Sequence, residues 1–388
     1  MTANMLYDVK RDPDLGPAAY RPRARRQLTA ETVDVSWLDP RRIGAGEPEL
    51  PQEVQAALRG GSLTAVNIRH PRWRRALEFT APRPGKKRVH LLAVGDVGGT
   101  LLTALKLLGG DVISSVGICD LSEATVARWV TEMGQIAWPW DYDALPEVEA
   151  VSSENLFDCD VFIFAAAKAI PPVGSGVQDV RMAQLEANRP LVERFARQAR
   201  DADFRGLFIV LSDPVDPLCW AAWRASNTGP DGEVDLMGLL PEQVQGFGLG
   251  VMNARAAYFA KRDPRFASFL TEGRGFGPHG KGLVIANSVT NYNDALSREL
   301  TALVLEANLR VRDLGFKPYV APAVSSGAMQ LLLALRGEWH CGSVPLGGVW
   351  FGCRNRFTPQ GLEVETLELP DALFARLQET ERALHELA

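Results

Sequence analysis

The sequence predicts an α/β fold in which a doubly wound, parallel sheet forms the core. Apolar runs of strand length recur between residues 89 and 212, without the polar alternation of a half-exposed strand. Helical stretches separate these runs, as in a chain that crosses repeatedly between parallel strands. A glycine-rich turn joins the first such strand to its helix. Together these observations place the core of the fold after residue 88.

Composition is that of an ordinary globular protein of two to three domains. The 388 residues are 46% hydrophobic and 23% charged, which excludes a disordered or fibrous chain. No apolar run reaches the roughly 18 residues that span a bilayer, and the N-terminus has no apolar signal core. The five cysteines include no C-x-x-C pair, which favours reduced thiols. We therefore expect a cytoplasmic protein without a structural metal.

Residues 1–87 differ from the rest of the chain in charge. Up to residue 88 there are 17 Lys and Arg against 10 Asp and Glu, whereas the remainder has 25 against 37. This front is rich in proline, with one short helix predicted over residues 51–58. Interleaved acids and the absence of a recognition motif argue against nucleic acid or a membrane as partner. We predict a basic arm that straps across the body or across a neighbouring subunit.

The first buried strand leads into a pattern typical of dinucleotide binding. A strand over residues 89–94 precedes the turn Gly95-Asp-Val-Gly-Gly-Thr100 and a helix, and a second strand over residues 112–119 ends at Asp120. Glycines let the backbone approach a pyrophosphate at a helix N-terminus, and a carboxylate about 20 residues further on can bind ribose hydroxyls. An acid there favours NAD over NADP. The three-glycine template falls on Ala93, Gly95 and Gly98, so its first glycine is absent, and a turn with only a backbone role is the alternative.

Two further buried strands complete a Rossmann-type sheet. They are predicted over residues 160–167 and 206–212, with a helix over residues 180–203 between them. Ligands bind at the carboxyl ends of the strands in such sheets. We therefore expect the chemistry to lie just after Ala167 and just after Ser212.

Five short motifs follow one another from residue 88 to the C-terminus. Each is modest alone, but their common order is specific. They are Ala93-Val-Gly-Asp-Val-Gly-Gly-Thr100, Arg181-Met-Ala-Gln-Leu-Glu-Ala-Asn188, Asp213-Pro-Val-Asp216, Gly246-Phe-Gly-Leu-Gly-Val-Met-Asn-Ala-Arg255 and Gly277-Pro-His-Gly280. In this order they resemble the glycine turn, substrate loop, Asn-Pro-Val-Asp turn, substrate-arginine segment and histidine loop of the L-2-hydroxyacid dehydrogenases, the lactate and malate dehydrogenases. Residues 341–367 also resemble that family's closing hairpin, before a helix over residues 372–387.

The resemblance implies a catalytic set. His279 would exchange a proton with the substrate oxygen while a nicotinamide cofactor exchanges hydride with the carbon. Arg255 would hold the substrate carboxylate through two hydrogen bonds. Arg181, on a mobile loop, would polarise the keto oxygen. Each residue also has an alternative without a catalytic role. His279 would then be a turn residue, Arg255 a surface arginine on a helix, and Arg181 a solvated charge at the start of a helix.

The resemblance also implies further site residues and an organisation into domains. The chain divides into the arm at 1–87, an NAD-binding Rossmann domain at 88–250 and an α+β substrate domain at 251–388, with the site between the last two. The implied partners are a small 2-oxo or 2-hydroxy acid and further copies of the chain, in a homodimer or homotetramer. Asn188 and Ser325 or Ser326 would line the substrate pocket, and Gly95, Val97, Gly98, Asp120 and Ala166 would bind NAD.

Three departures from the family pattern mark the predicted site. Met252 stands where the family has the aspartate that orients its histidine, and Asp213 stands where it has an asparagine. Our hypothesis is that the two changes are linked, with Asp213 either pairing with His279 or facing a cationic group of the substrate. The loop over residues 167–181 is also longer and less charged than usual, which suggests a bulkier or less acidic substrate than oxaloacetate.

Three functions compete on this evidence. An NAD-dependent dehydrogenase acting on CH-OH groups is favoured because a proton donor and a carboxylate clamp occur together. A catalytically silent NAD(H)-binding sensor or scaffold is favoured by Met252 and Ala93. An NAD-dependent glycosidase would need a metal held by Cys and His, and the pair His340-Cys341 has no second ligand pair at metal spacing, so we expect it to be structural.

Overall fold

The computed structural model describes residues 4–42, 44, 47–79, 84–168 and 180–388, with side chains throughout except at positions 180 and 181. Helices separate the strands from β4 to β9, as the buried apolar runs predict, except that β7 follows β6 directly. The strands are β1 (Met5–Val9), β2 (Ala19–Tyr20), β3 (Leu63–Asn67), β4 (Lys87–Leu92), β5 (Ile113–Cys119), β6 (Glu147–Ala150), β7 (Val161–Phe164), β8 (Leu207–Val210), β9 (Val244–Gly246), β10 (Arg274–Phe276), β11 (Val284–Ala286), β12 (His340–Leu346), β13 (Val349–Thr358) and β14 (Gly361–Val364).

The helices fall mainly after residue 88. A π-helical segment (Pro322–Ala328) leads directly into one of them. The α-helices are α1 (Arg26–Thr29), α2 (Gln52–Gly60), α3 (Trp73–Glu78), α4 (Asp96–Leu108), α5 (Glu123–Gly134), α6 (Val180–Asp201), α7 (Val215–Ser226), α8 (Leu249–Ala260), α9 (Phe269–Glu272), α10 (Asp294–Asp313), α11 (Met329–Leu335) and α12 (Asp371–His385).

One large sheet runs through the described residues. Its order is β1-β3-β2-β14-β13-β12-β9-β8-β7-β4-β5-β6, and the six strands from β9 to β6 are parallel. Helices cover this parallel half, and β4, β7 and β8 are buried on both faces. The predicted α/β class with a doubly wound sheet is confirmed. The predicted strands and the helices at residues 101–108, 180–203 and 372–387 are all present, with ends shifted by a few residues.

The C-terminal half attaches to the same sheet. The hairpin β12–β13 pairs antiparallel through seven residue pairs, and β12 joins the parallel half at a single pair, Ser343 with Gly246. Helix α8 packs against α10 and the π-helical segment, which also contacts α4. Residues of the C-terminal half therefore line a common cavity with residues at the carboxyl ends of β4, β5 and β7. No helix among the described residues has the length and apolar content to cross a membrane.

The N-terminal stretch, predicted as an arm, contributes strands to the sheet. Strand β2 pairs with β14 in parallel and with β3 in antiparallel fashion, and β1 pairs with β3. Its basic side chains pair with acids of the same molecule. The carboxylate of Glu363, with 0% of its side chain exposed, accepts from Arg21 at 2.9 Å, Arg23 at 2.7 Å and Arg356 at 2.7 Å. Much of the basic character of this stretch is therefore used inside the fold.

Candidate active site

The turn between β4 and α4 has the close backbone packing that its glycines predict. Gly95 is the N-cap of α4, and no side chain caps the helix there. A Cβ on Gly98 would lie 2.0 Å from the carbonyl oxygen of Ala93, so only glycine fits, whereas a Cβ on Gly95 would meet nothing within 4 Å. Ala93, in place of the first glycine, has a φ of 74°, which is in the left-handed region that glycine adopts easily. The turn therefore keeps the glycine geometry despite the substitution.

Asp120 lies at the carboxyl end of β5, beside this turn. Its carboxylate accepts hydrogen bonds from the backbone N–H of Val94 at 2.9 Å and of Ser122 at 3.1 Å. The indole of Trp129 donates to the Val94 carbonyl at 3.0 Å. These contacts fix the carboxylate against the turn, at the place where a ribose would follow a pyrophosphate.

His279 and Asp213 are brought together across the cleft. Nδ1 of His279 lies 2.9 Å from Oδ1 of Asp213, although 66 residues separate them in the sequence. The imidazole is 16% exposed and the carboxylate 48% exposed. Asp213 precedes α7 in the Asp-Pro-Val-Asp turn, and His279 follows β10. Of the two pairings left open for Asp213, the structure contains the one with the histidine.

A second carboxylate, that of Asp216, holds the backbone of the loop that carries His279. Oδ2 of Asp216 accepts from the backbone N–H of His279 at 3.2 Å, and Oδ1 accepts from the Ser343 hydroxyl at 2.5 Å. Burial raises the pKa of Asp216 to about 6, although these hydrogen bonds lower it. Sequence reasoning assigned no role to Asp216, although it closes the motif that begins at Asp213.

Arg255 lies on α8, one turn after Met252. Its guanidinium is close to the Met252 sulfur at 3.7 Å and the Val304 carbonyl at 3.5 Å. Burial lowers the pKa of Arg255 and the nearby Asp213 carboxylate raises it. An arginine remains protonated even so. The site therefore has a partly buried cation near the contact between His279 and Asp213.

The remaining predicted substrate residues hold the backbone of the site in place. Asn188 is 2% exposed; its amide oxygen accepts from the Lys168 N–H at 2.9 Å and its NH₂ donates to the Asp213 carbonyl at 2.8 Å. The Ser326 hydroxyl bridges the Gly248 carbonyl and the Val251 N–H, each at 2.8 Å, and so fixes the start of α8. Ser325 is half-buried behind it, and its carbonyl accepts from Gln330 at 2.8 Å.

Part of the predicted substrate loop lies outside the described residues. This applies to residues 169–179 and to the side chain of Arg181, which stands at the start of α6. Ala166, just before the loop, accepts at its carbonyl from the Ser212 hydroxyl at 2.7 Å, as expected for neighbouring strand ends.

One continuous cavity of about 2100 Å³ extends from the glycine turn to His279 and Asp213. Its walls include the glycine-turn residues Gly95, Val97 and Gly98, the strand-end residues Asp120 and Ala166, and the residues Asp213, Met252, Arg255 and His279. The open space beside Gly95 and the uncapped start of α4 fit a dinucleotide whose pyrophosphate lies against the turn.

One contact across this cavity had no signal in the sequence. Nζ of Lys317, between α10 and the π-helical segment, lies 2.9 Å from Oδ2 of Asp96 in the first turn of α4. Both residues line the cavity. They are 221 positions apart in the sequence, so spacing could not associate them.

Comparisons with known proteins agree with this fold. No family model matches the chain. The L-lactate dehydrogenase of Corynebacterium jeikeium (strain K411) is 28% identical over 149 residues, which is 38% of this chain and 43% of that protein. The L-lactate dehydrogenase of Corynebacterium glutamicum is 24% identical over 215 residues, 55% of this chain and 62% of that protein. The chain thus spans about half the length of these curated relatives.

Solved structures match over a larger share of the chain. The minor L-lactate dehydrogenase of Enterococcus mundtii, in a ligand-bound form, superposes with a TM-score of 0.63 at 18% identity, covering 78% of this chain and 97% of that one. The malate dehydrogenase of Archaeoglobus fulgidus, in complex with NADH, gives a TM-score of 0.62 at 18% identity, covering 77% and 98%. The chain is therefore similar to L-lactate dehydrogenases over part of its sequence, and it has the fold of lactate and malate dehydrogenases. At these identities the superpositions establish the fold, and the chemistry follows from the residues of this chain.

Proposed function

We propose that this lactate/malate dehydrogenase-like protein is an NAD-dependent oxidoreductase that interconverts a 2-hydroxy acid and a 2-oxo acid, or a related carbonyl pair. The observation that carries the proposal is the contact between Nδ1 of His279 and the Asp213 carboxylate in the cavity that also holds Arg255. A dinucleotide-sized groove continues from this pair to the glycine turn. The malate dehydrogenase of Archaeoglobus fulgidus, which has a similar fold, was solved in complex with NADH.

Asp213 supplies the orienting carboxylate that position 252 lacks. Nδ1 of His279 donates to this carboxylate, which fixes the tautomer and leaves Nε2 to exchange a proton with the substrate oxygen. When the histidine takes up a proton, the adjacent negative charge stabilises the imidazolium. Asp216 holds the histidine backbone at the same time, so the ring is positioned from two sides.

Arg255 is the residue that would bind the substrate carboxylate. Its guanidinium is partly buried and lines the cavity together with His279, so a carboxylate can be held through two parallel hydrogen bonds. Such binding orients the carbon to be reduced or oxidised. A bound nicotinamide would supply or accept the hydride, with Gly95, Val97, Gly98 and Asp120 holding the dinucleotide.

The first test measures NADH binding and NADH oxidation separately, using the purified full-length chain and a panel of 2-oxo acids of different size and charge. We expect His279→Ala to lower turnover by about 10²–10⁴-fold, because general acid–base catalysis contributes about that much. Its NADH dissociation constant should stay within about twofold of the parent protein's. His385→Ala is the matched control, since His385 is exposed near the end of α12.

Two results would contradict the proposal in different ways. Micromolar NADH binding without turnover of any 2-oxo acid would favour the silent sensor or scaffold. A protein that binds neither NADH nor NADPH would exclude both functions. The cytoplasmic location and the homodimer or homotetramer stay predictions.

A further inference from the structure

The ion pair between Lys317 and Asp96 joins the two halves of the molecule across the proposed dinucleotide groove. Asp96 belongs to the nucleotide-binding half, one residue after the N-cap of α4. Lys317 belongs to the segment that connects α10 to the π-helical segment, in the C-terminal half. Nζ and Oδ2 are 2.9 Å apart, so this segment reaches over the groove and touches the glycine turn.

Asp96 is an unfavourable residue to meet an incoming pyrophosphate. The N-terminus of α4 attracts anions through its unpaired N–H groups and the helix dipole, and the Asp96 carboxylate already supplies one negative charge there. A dinucleotide would bring further negative charge to the same turn, and like charges repel. A cation beside the turn would offset this repulsion.

Lys317 is suited to supply that cation. Its side chain is 82% exposed and that of Asp96 is 50% exposed, so the pair is in contact with water and exchanges partners readily. A lysine ammonium on a flexible stem binds carboxylate and phosphate oxygens alike. Cavity-lining neighbours Phe316 and Tyr319 belong to the same segment, so Lys317 remains over the groove when it leaves Asp96.

We propose that Lys317 is a phosphate-binding residue for the dinucleotide and that Asp96 is its partner when the groove is empty. Binding then exchanges a lysine–carboxylate pair for a lysine–pyrophosphate pair, without leaving Lys317 unpaired. This inference rests on the proposed function, because it needs a dinucleotide in the groove. It adds a positioning device from the C-terminal half that the glycine turn alone does not provide.

The test is equilibrium binding, measured by NADH fluorescence titration at low and moderate salt. We expect Lys317→Ala to raise the NADH dissociation constant about tenfold and to weaken its salt dependence, as loss of one phosphate contact does. Asp96→Asn should lower the constant severalfold, because it removes the repulsion. Lys317→Arg should stay close to the parent protein. Lys261→Ala, which removes an exposed lysine just after α8, is the control for net charge.

Adenosine, which has no phosphate, separates a phosphate contact from a general effect on the groove. Its affinity should be the same in the parent protein and in Lys317→Ala, and thermal unfolding midpoints should agree because the pair is exposed. An unchanged NADH dissociation constant in Lys317→Ala, or weaker NADH binding in Asp96→Asn, would overturn the inference while leaving the proposed function intact. Failure of the parent protein to bind NADH would overturn both.

Discussion

At the scale of residues, the carboxylate beside His279 comes from a different sequence position than in the family that the chain resembles. In the family that the chain resembles, the histidine's partner precedes the substrate arginine by three residues, and here that position is Met252, 3% exposed. Here Asp213, just before α7, lies against Nδ1 of the His279 ring. In the proposed function, Asp213 therefore takes the orienting role that Met252 cannot provide.

The Asp213 carboxylate can be tested by an isosteric change. We expect Asp213→Asn to lower kcat by about 10²–10⁴-fold, since the amide cannot stabilise the imidazolium and can select the wrong tautomer. NADH affinity should be unchanged, because Asp213 follows β8 whereas the glycine turn follows β4, two strands away in the sheet. Steady-state kinetics with NADH titration provide both values, and unchanged turnover would contradict the assigned role.

A double variant provides the matching control for that result. Asp213→Asn together with Met252→Asp restores both residues that the family resemblance leads us to expect. Part of the lost turnover should return if a carboxylate on either element can serve His279, whereas Met252→Asp alone should not raise activity.

At the scale of elements, two glycines of the turn between β4 and α4 have different roles, one in folding and one in ligand binding. Gly98 has no room for a side chain because the Ala93 carbonyl lies against it, whereas Gly95 opens onto the cavity. Gly98 serves the fold of the turn, and Gly95 leaves space for a ligand.

This separation predicts different outcomes for two matched substitutions. Gly98→Ala should lower the free energy of unfolding by about 1–3 kcal/mol, because its Cβ would overlap a backbone carbonyl. Gly95→Ala should unfold like the parent protein and yet bind NADH about tenfold or more weakly, because its Cβ occupies the approach of the pyrophosphate. Urea unfolding and NADH titration measure the two effects, and unchanged NADH binding by Gly95→Ala would contradict the placement of the cofactor.

At the scale of the whole molecule, buried carboxylates attach the N-terminal strands to the body. Glu242, between α7 and β9, accepts from the backbone N–H groups of Ala18 and Ala19, each at 2.9 Å. Glu363 joins two arginines of the same stretch to β14. The basic front of the sequence is therefore part of the fold in this protein, and its removal would expose the β14 edge of the sheet.

The attachment through Glu242 predicts a pH dependence of stability. Burial raises the pKa of Glu242 from its usual 4.5 to about 7, against the two backbone hydrogen bonds. Between these values the unfolded chain loses the proton and the folded protein keeps it, so the free energy of unfolding falls as pH rises. The slope for one such group is at most about 1.4 kcal/mol per pH unit.

Urea unfolding between pH 5 and pH 8 tests this expectation. Glu242→Gln cannot ionise, so its free energy of unfolding should fall less steeply over this range than that of the parent protein. Glu149→Gln, an exposed residue on β6, should follow the parent curve. Parallel curves for the parent protein and Glu242→Gln would contradict a protonated Glu242 near neutral pH.

The sequence by itself determined the strands, helices and glycine turn of residues 88–212, because buried apolar runs and turn glycines are local signals. Through the order of its motifs and the family resemblance, it also predicted His279, Asp213 and Arg255 as site residues, and all three line one cavity. Only the tertiary structure decided which nitrogen Asp213 contacts, that Asp216 supports the histidine, and that Lys317 meets Asp96. The N-terminal strands also depended on it, because β2 has two residues and no periodicity of its own. Each of these features joins residues far apart in the chain, and such pairs are fixed by packing, which local patterns do not encode.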